Sequence, residues 1–471
     1  MKRRRLHLGR LLLVNAVYAA AALVGWPVYL FLLATRRKYR NRFWQRWGLV
    51  PRFGGRGARA GGQRRDSSAA PQNDKEAAEG RGAEARGTGK PQRFWVHAIS
   101  VGEVEAARTF VPALAAAYPE AEIVLSTTTL TGQERARKLF PDRPVFYFPL
   151  DLGPCVLLAL RRVRPTAVIQ VESEWWPNFF LLANLLGVPT LAVNVRITER
   201  SCERYRRIRR LMATVFNTVA AIGVQAEVYR ERLLSLGADE ARLCVTGQMK
   251  HDGVTFADTA AGAEEMAREV GIEKGEQVFV AGSTGPGEED VLATAYREAR
   301  RAFPRLRLVI VPRRPENFDA AAQAVLASGL GVVRRSRSVT WEGPKTLPPV
   351  ILGDTLGELM KWYALADIAF VGRSLVPTGG SNPMEPGSLG KPLLWGPHMF
   401  NFPVESAELV ETGAARVVEN DSDMAAALVD LLTHGERRRQ MGEAARATIR
   451  RMQGATARNI DLVRHAIEIH S

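Results

Sequence analysis

The clearest sign of the architecture is the stretch at residues 93–127, RFWVHAISVGEVEAARTFVPALAAAYPEAEIVLST. Two short runs rich in β-branched and aromatic residues, FWVHAIS and EIVLST, flank a segment with helical periodicity. A strand, a helix and a second strand in this order are typical of a βαβ unit, which places both strands parallel in one sheet. The stretch therefore predicts a doubly wound α/β domain.

The same alternation of strand-like and helical segments continues to the C-terminus in two series. The first series goes on with PVFYF, AVIQV, TLAVN and VAAIGVQ, and the second, after residue 275, contains QVFVAGS, RLRLVIVP, GVVRR, PVILGD, DIAFVG and PLLWGP. We therefore predict two domains with parallel sheets, at residues 93–255 and 256–471, with a hinge at 251–274. A long Arg-rich helix at about 435–468 is expected to end the second domain.

The charge distribution argues against a nucleic-acid partner. A formal charge of +16 over 471 residues would ordinarily suggest nucleic acid or an acidic membrane. Residues 1–65 contain 16 Lys and Arg and no Asp or Glu, whereas the remaining 406 residues contain 49 basic and 49 acidic side chains. A nucleic-acid-binding domain would carry its excess on the folded part, and here the folded part is neutral.

The N-terminal excess of positive charge surrounds an apolar segment. Residues 11–35 carry no charge, and about 20 apolar residues are enough to cross a bilayer. A cleaved signal peptide is the alternative, although its apolar region is shorter. We expect a membrane anchor and basic interfacial segment at 1–50, in contact with anionic lipids. Basic residues on both sides leave the orientation of the helix open. Residues 51–92, poor in large apolar side chains, are expected to form a flexible tether.

Carboxylates follow two strands of the first series, where ligands of such sheets bind. Glu103 ends the motif SVGE at 100–103, directly after the first strand, and could act as a general base. The same S-x-x-E spacing also fits a capping box, in which Glu103 would only close the first helical turn. Glu172 and Glu174 follow the fourth strand. The two carboxylates could belong to a metal site, but nothing else nearby has ligand spacing.

Two turns of small residues in the second series could bind phosphate. AGSTGPGEE at 281–289 and GGSNPMEP at 379–386 open helices, where backbone N–H groups can face an anion. Neither is a P-loop, because both lack G-K-[ST]. Lys250, at a domain junction, and Arg313, at a strand end, could offset the charge of a departing phosphate. A solvated surface charge is the simpler interpretation of each cation.

With these residues in view, the chain from about residue 93 resembles the 3-deoxy-D-manno-octulosonic acid (Kdo) transferases. The matching stretches, in order, are HAISVGEVEAA, TTTLTGQERA, ESEWWPN, NVRITERS, TGQMKHD, AGSTGPGEE, VPRRPENF, GDTLGEL and ADIAFVGRSLVPTGGSNPMEPGSLGKPLLWGPHMFNF. The resemblance implies the GT-B fold. Residues 93–255 would then form a Rossmann-like acceptor domain, and residues 256–471 a Rossmann-like nucleotide-sugar domain.

The resemblance also implies an activity. It is that of an inverting glycosyltransferase, which moves Kdo from CMP-Kdo to a lipid A precursor of the lipid IVA type in lipopolysaccharide core biosynthesis. The enzyme would lie at the inner membrane with its catalytic domains on the cytoplasmic side, and would need no metal or other cofactor. Glu103 resembles the family's proton acceptor, and Glu172 and Lys250 match its transition-state stabilisers. The segments that hold CMP in the family match Pro312, Arg313, Leu356, Gly357, Glu358, Asn382, Pro383, Met384 and Glu385.

Three positions depart from the family's pattern. Gly285, Arg314 and Ser381 stand where the family usually has His. The loss of three such side chains on the nucleotide side could alter donor affinity or sugar preference, although Arg314 keeps part of the charge.

Two alternatives to Kdo transfer stay open at this point. One is another GT-B enzyme that uses a UDP-sugar, such as the lipid A disaccharide synthase. The other is a non-catalytic, membrane-tethered binding protein built on a decayed transferase. The intact carboxylates and cations of the motifs argue against decay.

Overall fold

A computed structural model describes residues 43–53, 92–337, 341–344 and 348–470. The chain divides into two compact units. The first unit consists of the chain up to Lys250 together with the C-terminal segment from Ala455, and the second unit is His251–Gly454. The predicted membrane segment at 11–35 lies outside the described residues, as does the predicted tether except at its ends. Among the helices that are described, none has the length and apolar character needed to cross a bilayer.

The first unit is built on a parallel sheet of seven strands in the order β3-β2-β1-β4-β5-β6-β7. The strands are β1 (Arg93–His97), β2 (Glu122–Thr127), β3 (Val145–Tyr147), β4 (Ala167–Val171), β5 (Thr190–Val195), β6 (Ala221–Val224) and β7 (Leu243–Val245). The helices are α1 (Phe43–Arg46), α2 (Val101–Ala117), α3 (Leu130–Leu139), α4 (Gly153–Val163), α5 (Pro177–Leu185), α6 (Glu199–Arg206), α7 (Arg209–Phe216) and α8 (Glu227–Ser235). Every residue of β1, β4 and β5 is buried, because helices cover both faces of the sheet.

The second unit is built on an eight-stranded sheet in the order β11-β10-β12-β9-β8-β13-β14-β15, in which only β11 runs antiparallel. The strands are β8 (Gln277–Thr284), β9 (Leu306–Pro312), β10 (Val332–Arg334), β11 (Trp341–Glu342), β12 (Val350–Leu352), β13 (Ile368–Val371), β14 (Leu393–Trp395) and β15 (Ala415–Val417). The helices are α9 (Ala263–Glu269), α10 (Glu289–Ala302), α11 (Phe318–Ala327), α12 (Leu359–Leu365), α13 (Met384–Ser388), α14 (Pro403–Glu411), α15 (Asp421–Thr433) and α16 (Gly435–Met452). The chain leaves β8 toward β9 and later returns to its other side as β13, so the strand order reverses at β8.

The C-terminal helix corrects the predicted domain boundary. The helix expected at about 435–468 is two helices, α16 and α17 (Ala455–His470), and Gly454 between them has a φ of 90°. The apolar face of α17, including Val463 and Ile467, packs in the core of the first unit with Phe94 of β1. The last residues therefore belong to the first unit, and the units divide after residue 250 instead of 255.

Part of the predicted interfacial segment folds with the first unit. The backbone N–H of Tyr147 donates to Gln45 Oε1 over 3.1 Å, and Arg162 Nε donates to the carbonyl of Val50 over 2.6 Å. Val50 is fully buried beside the strand residue Trp95. Residues 43–53 are therefore part of the folded unit.

Candidate active site

Glu103 lies in the first turn of α2, immediately after β1. Its carboxylate accepts hydrogen bonds from the backbone N–H groups of Ile99 and of the N-cap residue Ser100. The Ser100 side chain makes no capping hydrogen bond, so only the glutamate half of the predicted capping box is present in the described part of the chain. Burial raises the pKa of Glu103 to about 8, and the negative charges of Glu172 and Glu174 add to this shift. Hydrogen bonds from the backbone N–H groups of Ile99 and Ser100 oppose it. A carboxyl group with this pKa exchanges a proton near neutral pH, as a general base must.

Glu172 follows β4 in a strained conformation. Its φ of 63° lies in the left-handed region, which costs a residue with a side chain about 1–2 kcal/mol, and its N–H donates to the carbonyl of Val193 over 2.9 Å. Its carboxylate lies 4.0 Å from Lys250 Nζ. Burial raises the pKa of Glu172, and the charges of Lys250 and Arg196 oppose the shift. Strain of this kind is commonly retained at functional sites.

The backbone before Lys250 is held by Asn194, a residue that the sequence analysis did not single out. Asn194 is fully buried at the end of β5, and it also has a left-handed φ, of 57°. Its Oδ1 accepts a hydrogen bond from the N–H of Met249 over 2.9 Å, and its carbonyl accepts one from Gln225 Nε2 over 2.9 Å. The Lys250 side chain itself is 48% exposed. Asn194 was detectable only as a polar residue in a strand-end motif, NVRITERS.

We call Glu103, Glu172, Glu174, Lys250 and Arg196 the first-unit site. Each of its three carboxyl groups has a pKa raised by burial, and the two cations offset part of that effect at Glu172. The site therefore favours a proton on Glu103 and a positive charge beside Glu172. In the parts of the chain with described coordinates, no three His, Cys, Asp or Glu side chains are grouped so as to hold a metal ion.

In the second unit, the structure brings together two of the motifs predicted to hold a nucleotide. Arg313 follows β9, and its N–H donates to the carbonyl of Thr284 over 3.0 Å. Glu385 Oε1 accepts a hydrogen bond from Asn382 Nδ2 over 3.3 Å, while Asn382 Oδ1 accepts one from the N–H of Met384 over 3.1 Å. Burial raises the pKa of Glu385, and the Asn382 hydrogen bond and the Arg313 charge oppose it. Arg313 and Glu385 therefore interact electrostatically at the carboxyl ends of the strands.

The third predicted nucleotide segment has a different environment. Glu358 accepts a hydrogen bond from Thr355 Oγ1 over 2.5 Å and pairs with Arg335 at 3.3 Å and Lys361 at 3.5 Å. Burial opposes ionisation of Glu358, but the Thr355 hydrogen bond and the Arg335 charge outweigh it and lower the pKa. Its carboxylate is thus engaged inside the unit, whereas the neighbouring Leu356 is 72% exposed.

The three departures from the family's pattern are placed as follows. The Arg314 side chain is 65% exposed and pairs with a neighbouring glutamate at 3.5 Å. Ser381 Oγ donates to the carbonyl of Ser283 over 3.3 Å. A Cβ added to Gly285 would lie 3.2 Å from Cγ of Arg373, so this arginine occupies the space beside the glycine.

A buried carboxylate that the sequence analysis did not assign holds the same turn together. Glu288 is fully buried and accepts hydrogen bonds from four backbone N–H groups. The donors are Gly285 at 2.9 Å, Arg373 at 2.6 Å, Ser374 at 2.8 Å and Leu375 at 2.9 Å. Glu288 therefore fixes the loop after β8 to the loop after β13. Its place in the motif AGSTGPGEE was the only sequence signal.

Two curated proteins align with most of the chain. The 3-deoxy-D-manno-octulosonic acid transferase of Haemophilus influenzae is 34% identical over 385 residues, which is 80% of this chain and 88% of the relative. The chain belongs to the Kdo transferase family. The transferase of the same name from Bordetella pertussis is 32% identical over 377 residues, covering 78% of this chain and 86% of the relative. Residues 63–253 match the family described as 3-deoxy-D-manno-octulosonic-acid transferase (kdotransferase).

Solved structures with low sequence identity support the fold of this Kdo transferase. UDP-GlcNAc 2-epimerase from Neisseria meningitidis superposes with a TM-score of 0.53 at 14% identity, covering 79% of this chain and all of that one. A glycosyltransferase from Rickettsia africae gives 0.52 at 12% identity, with 81% and 98% covered. The predicted GT-B-like architecture of two parallel-sheet domains is confirmed, and so are the predicted family and the enzyme class, a glycosyltransferase that transfers Kdo.

Proposed function

We propose that this Kdo transferase moves Kdo from CMP-Kdo to a hydroxyl of a lipid A precursor of the lipid IVA type, in lipopolysaccharide core biosynthesis. The observation that carries the proposal is the environment of Glu103. Its carboxyl group is largely buried after β1, has a pKa of about 8, and lies within the electrostatic influence of Glu172 and Glu174. A base that must take a proton from an alcohol at neutral pH needs a pKa near that pH.

The proposed reaction is a single inverting displacement. The Glu103 carboxylate takes the proton of the acceptor hydroxyl while that oxygen forms a bond to the anomeric carbon of Kdo. The bond from that carbon to the phosphate oxygen breaks, and CMP leaves with the bonding electrons. Glu103 ends as a neutral carboxyl, the form that its burial and the two neighbouring carboxylates favour. Positioned general bases contribute about 10²–10⁴-fold to such rates.

Charged residues of each unit complete the proposal. Lys250, 4.0 Å from Glu172, is proposed as a transition-state stabiliser together with that carboxylate. Arg313 is proposed to bind the departing phosphate, and Glu385 the ribose hydroxyls of CMP. We propose no metal, because these cations can offset the charge that develops on the leaving group.

We further propose that the enzyme acts at the cytoplasmic face of the inner membrane, held by a single N-terminal anchor. The uncharged segment at 11–35 and the excess of basic residues around it support this location. An acceptor that carries phosphates and acyl chains lies in the same membrane surface. Anchor and substrate would therefore share one surface.

The test uses the purified full-length chain in detergent with CMP-Kdo and a tetra-acylated lipid A precursor. Mass spectrometry should show an acceptor heavier by Kdo, and a parallel reaction with UDP-N-acetylglucosamine should give no product. Glu103→Ala should abolish transfer while CMP still binds in calorimetry, and Glu120→Ala, which removes an exposed carboxylate of the same unit, should retain transfer. Transfer by the Glu103 variant, or product from the UDP-sugar alone, would overturn the proposal.

A further inference from the structure

Arg373 has a backbone conformation that an arginine adopts only at a cost. It lies two residues beyond the end of β13, and its φ of 63° is in the left-handed region. Its N–H donates to the buried Glu288 carboxylate over 2.6 Å, so the conformation is imposed by the surrounding loop. Glycine would take this φ without strain. Strain of this kind is commonly retained where the residue has a use.

The position of Arg373 in the sheet suggests what that use is. The strand order of the second unit reverses at β8, which lies between β9 and β13, and doubly wound sheets bind ligands outside the strand ends at such a point. Arg313 follows β9 and Arg373 follows β13, so the two arginines flank the end of β8. Two strand spacings separate them, which is about 10 Å between backbones. Ser283, at the end of β8, is also left-handed, with a φ of 56°.

The guanidinium of Arg373 is held in place but is not neutralised. Its Nη2 donates to the carbonyl of Thr378 over 3.1 Å, and its Cγ covers Gly285. Across the described ranges, neither Arg373 nor Arg313 lies within ion-pair distance of a carboxylate. Arg313 interacts with the charge of Glu385 at longer range, but neither arginine forms an ion pair in the described ranges. Two such arginines on either side of a strand end fit a ligand with two anionic groups.

We propose that Arg373 binds the carboxylate of the transferred sugar, while Arg313 binds the phosphate of the leaving group. This inference rests on the proposed donor, CMP-Kdo. Kdo is an acid, as the family's name states. Its carboxylate and the CMP oxygen are attached to the same carbon, so the donor presents two anions side by side. The phosphate departs during the reaction and the carboxylate stays, and a separate guanidinium for each keeps the sugar oriented as CMP leaves.

The experiment compares two ligands that differ in the carboxylate. The full-length enzyme, Arg373→Gln and Arg313→Gln are assayed for KM toward CMP-Kdo and for inhibition by CMP, which has the phosphate without the sugar. For Arg373→Gln we expect KM for CMP-Kdo to rise about 10–100-fold with the inhibition constant of CMP unchanged. For Arg313→Gln both constants should rise. Arg373→Lys should recover part of the loss, and Arg301→Gln, an exposed arginine in the last turn of α10, should match the wild type.

A second variant separates binding from bracing of the loop. Arg373→Gly removes the side chain together with the backbone strain, so its Tm should stay within about 3 °C of the wild type while KM rises as in Arg373→Gln. The inference is overturned if KM for CMP-Kdo is unchanged in both Arg373 variants, or if the inhibition constant of CMP rises as much as that KM. Neither result affects the transfer of Kdo by the wild type. Absence of transfer by the wild type would instead overturn the proposed function.

Discussion

Replacing Glu103 by Gln should remove turnover. It should also make the first unit more stable than in the wild type, by a margin that grows as the pH rises. The glutamine side chain has nearly the same shape, and its amide oxygen can still accept the hydrogen bond from the N–H of Ile99. It has no proton to lose in this pH range and no charge to bury. The two effects have one cause, because the environment that makes the carboxyl a base near neutral pH also makes its ionised form costly.

The magnitude follows from the two pKa values of Glu103. The pKa is about 8 in the folded chain, against an ordinary value of 4.5. Between these values the unfolded chain has lost the proton that the folded chain retains, so the free energy of unfolding falls by about 1.4 kcal/mol per pH unit. The stability that the protonated Glu103 contributes to the folded chain is complete below pH 4.5 and is lost once the pH has passed 8. Between pH 5.5 and 7.5 the wild type should therefore lose about 2.7 kcal/mol relative to Glu103→Gln.

Hydrogen exchange of the β1 amides is the suitable measurement, because it reports on the first unit alone. Wild type and variant are compared at pH 5.5, 6.5 and 7.5, where the intrinsic exchange rate at each pH cancels between them. Glu120→Gln, which removes an exposed carboxyl from the same unit, should follow the wild type and keep its turnover. A difference between wild type and Glu103→Gln that stays constant with pH would refute the reasoning, as would turnover by the variant.

Three further predictions concern other carboxylates and the phosphate site. Glu172→Gln removes a negative charge that raises the pKa of Glu103, so the rising limb of kcat/KM against pH should move to lower pH; an unmoved limb contradicts this. Glu288→Ala leaves four backbone N–H groups without their acceptor and should destabilise the second unit by at least about 4 kcal/mol in urea unfolding, whereas Glu288→Gln should lose less. Arg313→Ala should weaken CMP binding about 10-fold or more in calorimetry, and unchanged binding would remove Arg313 from the site.

The predicted strands include all the central ones and the edge strand β3, whereas three other edge strands were missed. The apolar runs that became β1, β4, β8 and β9 are buried on both faces, and this produces a continuous apolar pattern in the sequence. The missed strands, β7, β11 and β15, have two or three residues each and lie at the sheet edges. They are strands because a neighbouring strand pairs with them, and runs of two or three residues are too short to show a strand pattern in the sequence. The apolar face of α17 was also visible in the sequence as a helical periodicity. That periodicity does not show which of the two units packs against the face.

The identity of the candidate site residues followed from local motifs, whereas their chemistry required the fold. SVGE placed Glu103 after a strand and left the choice between a base and a helix cap open. In the structure the carboxylate accepts the N–H of Ile99 and also has a pKa of about 8, so a capping contact and a base-like pKa coexist. The roles of Asn194 and Glu288 were not predictable, because each acts through hydrogen bonds to backbone groups far along the chain.

The sequence alone determined the charge distribution, in which the first 65 residues are basic and the remainder is neutral, the doubled α/β pattern and the order of the family motifs. All of these are matters of local composition and spacing. Only the tertiary structure showed the raised pKa of Glu103, the left-handed conformation of Glu172, the hydrogen bonds of Glu288 and the strained Arg373 beside Gly285. Desolvation, Coulomb energy and imposed backbone conformation depend on distances between groups in space. Separation along the chain carries no measure of those distances.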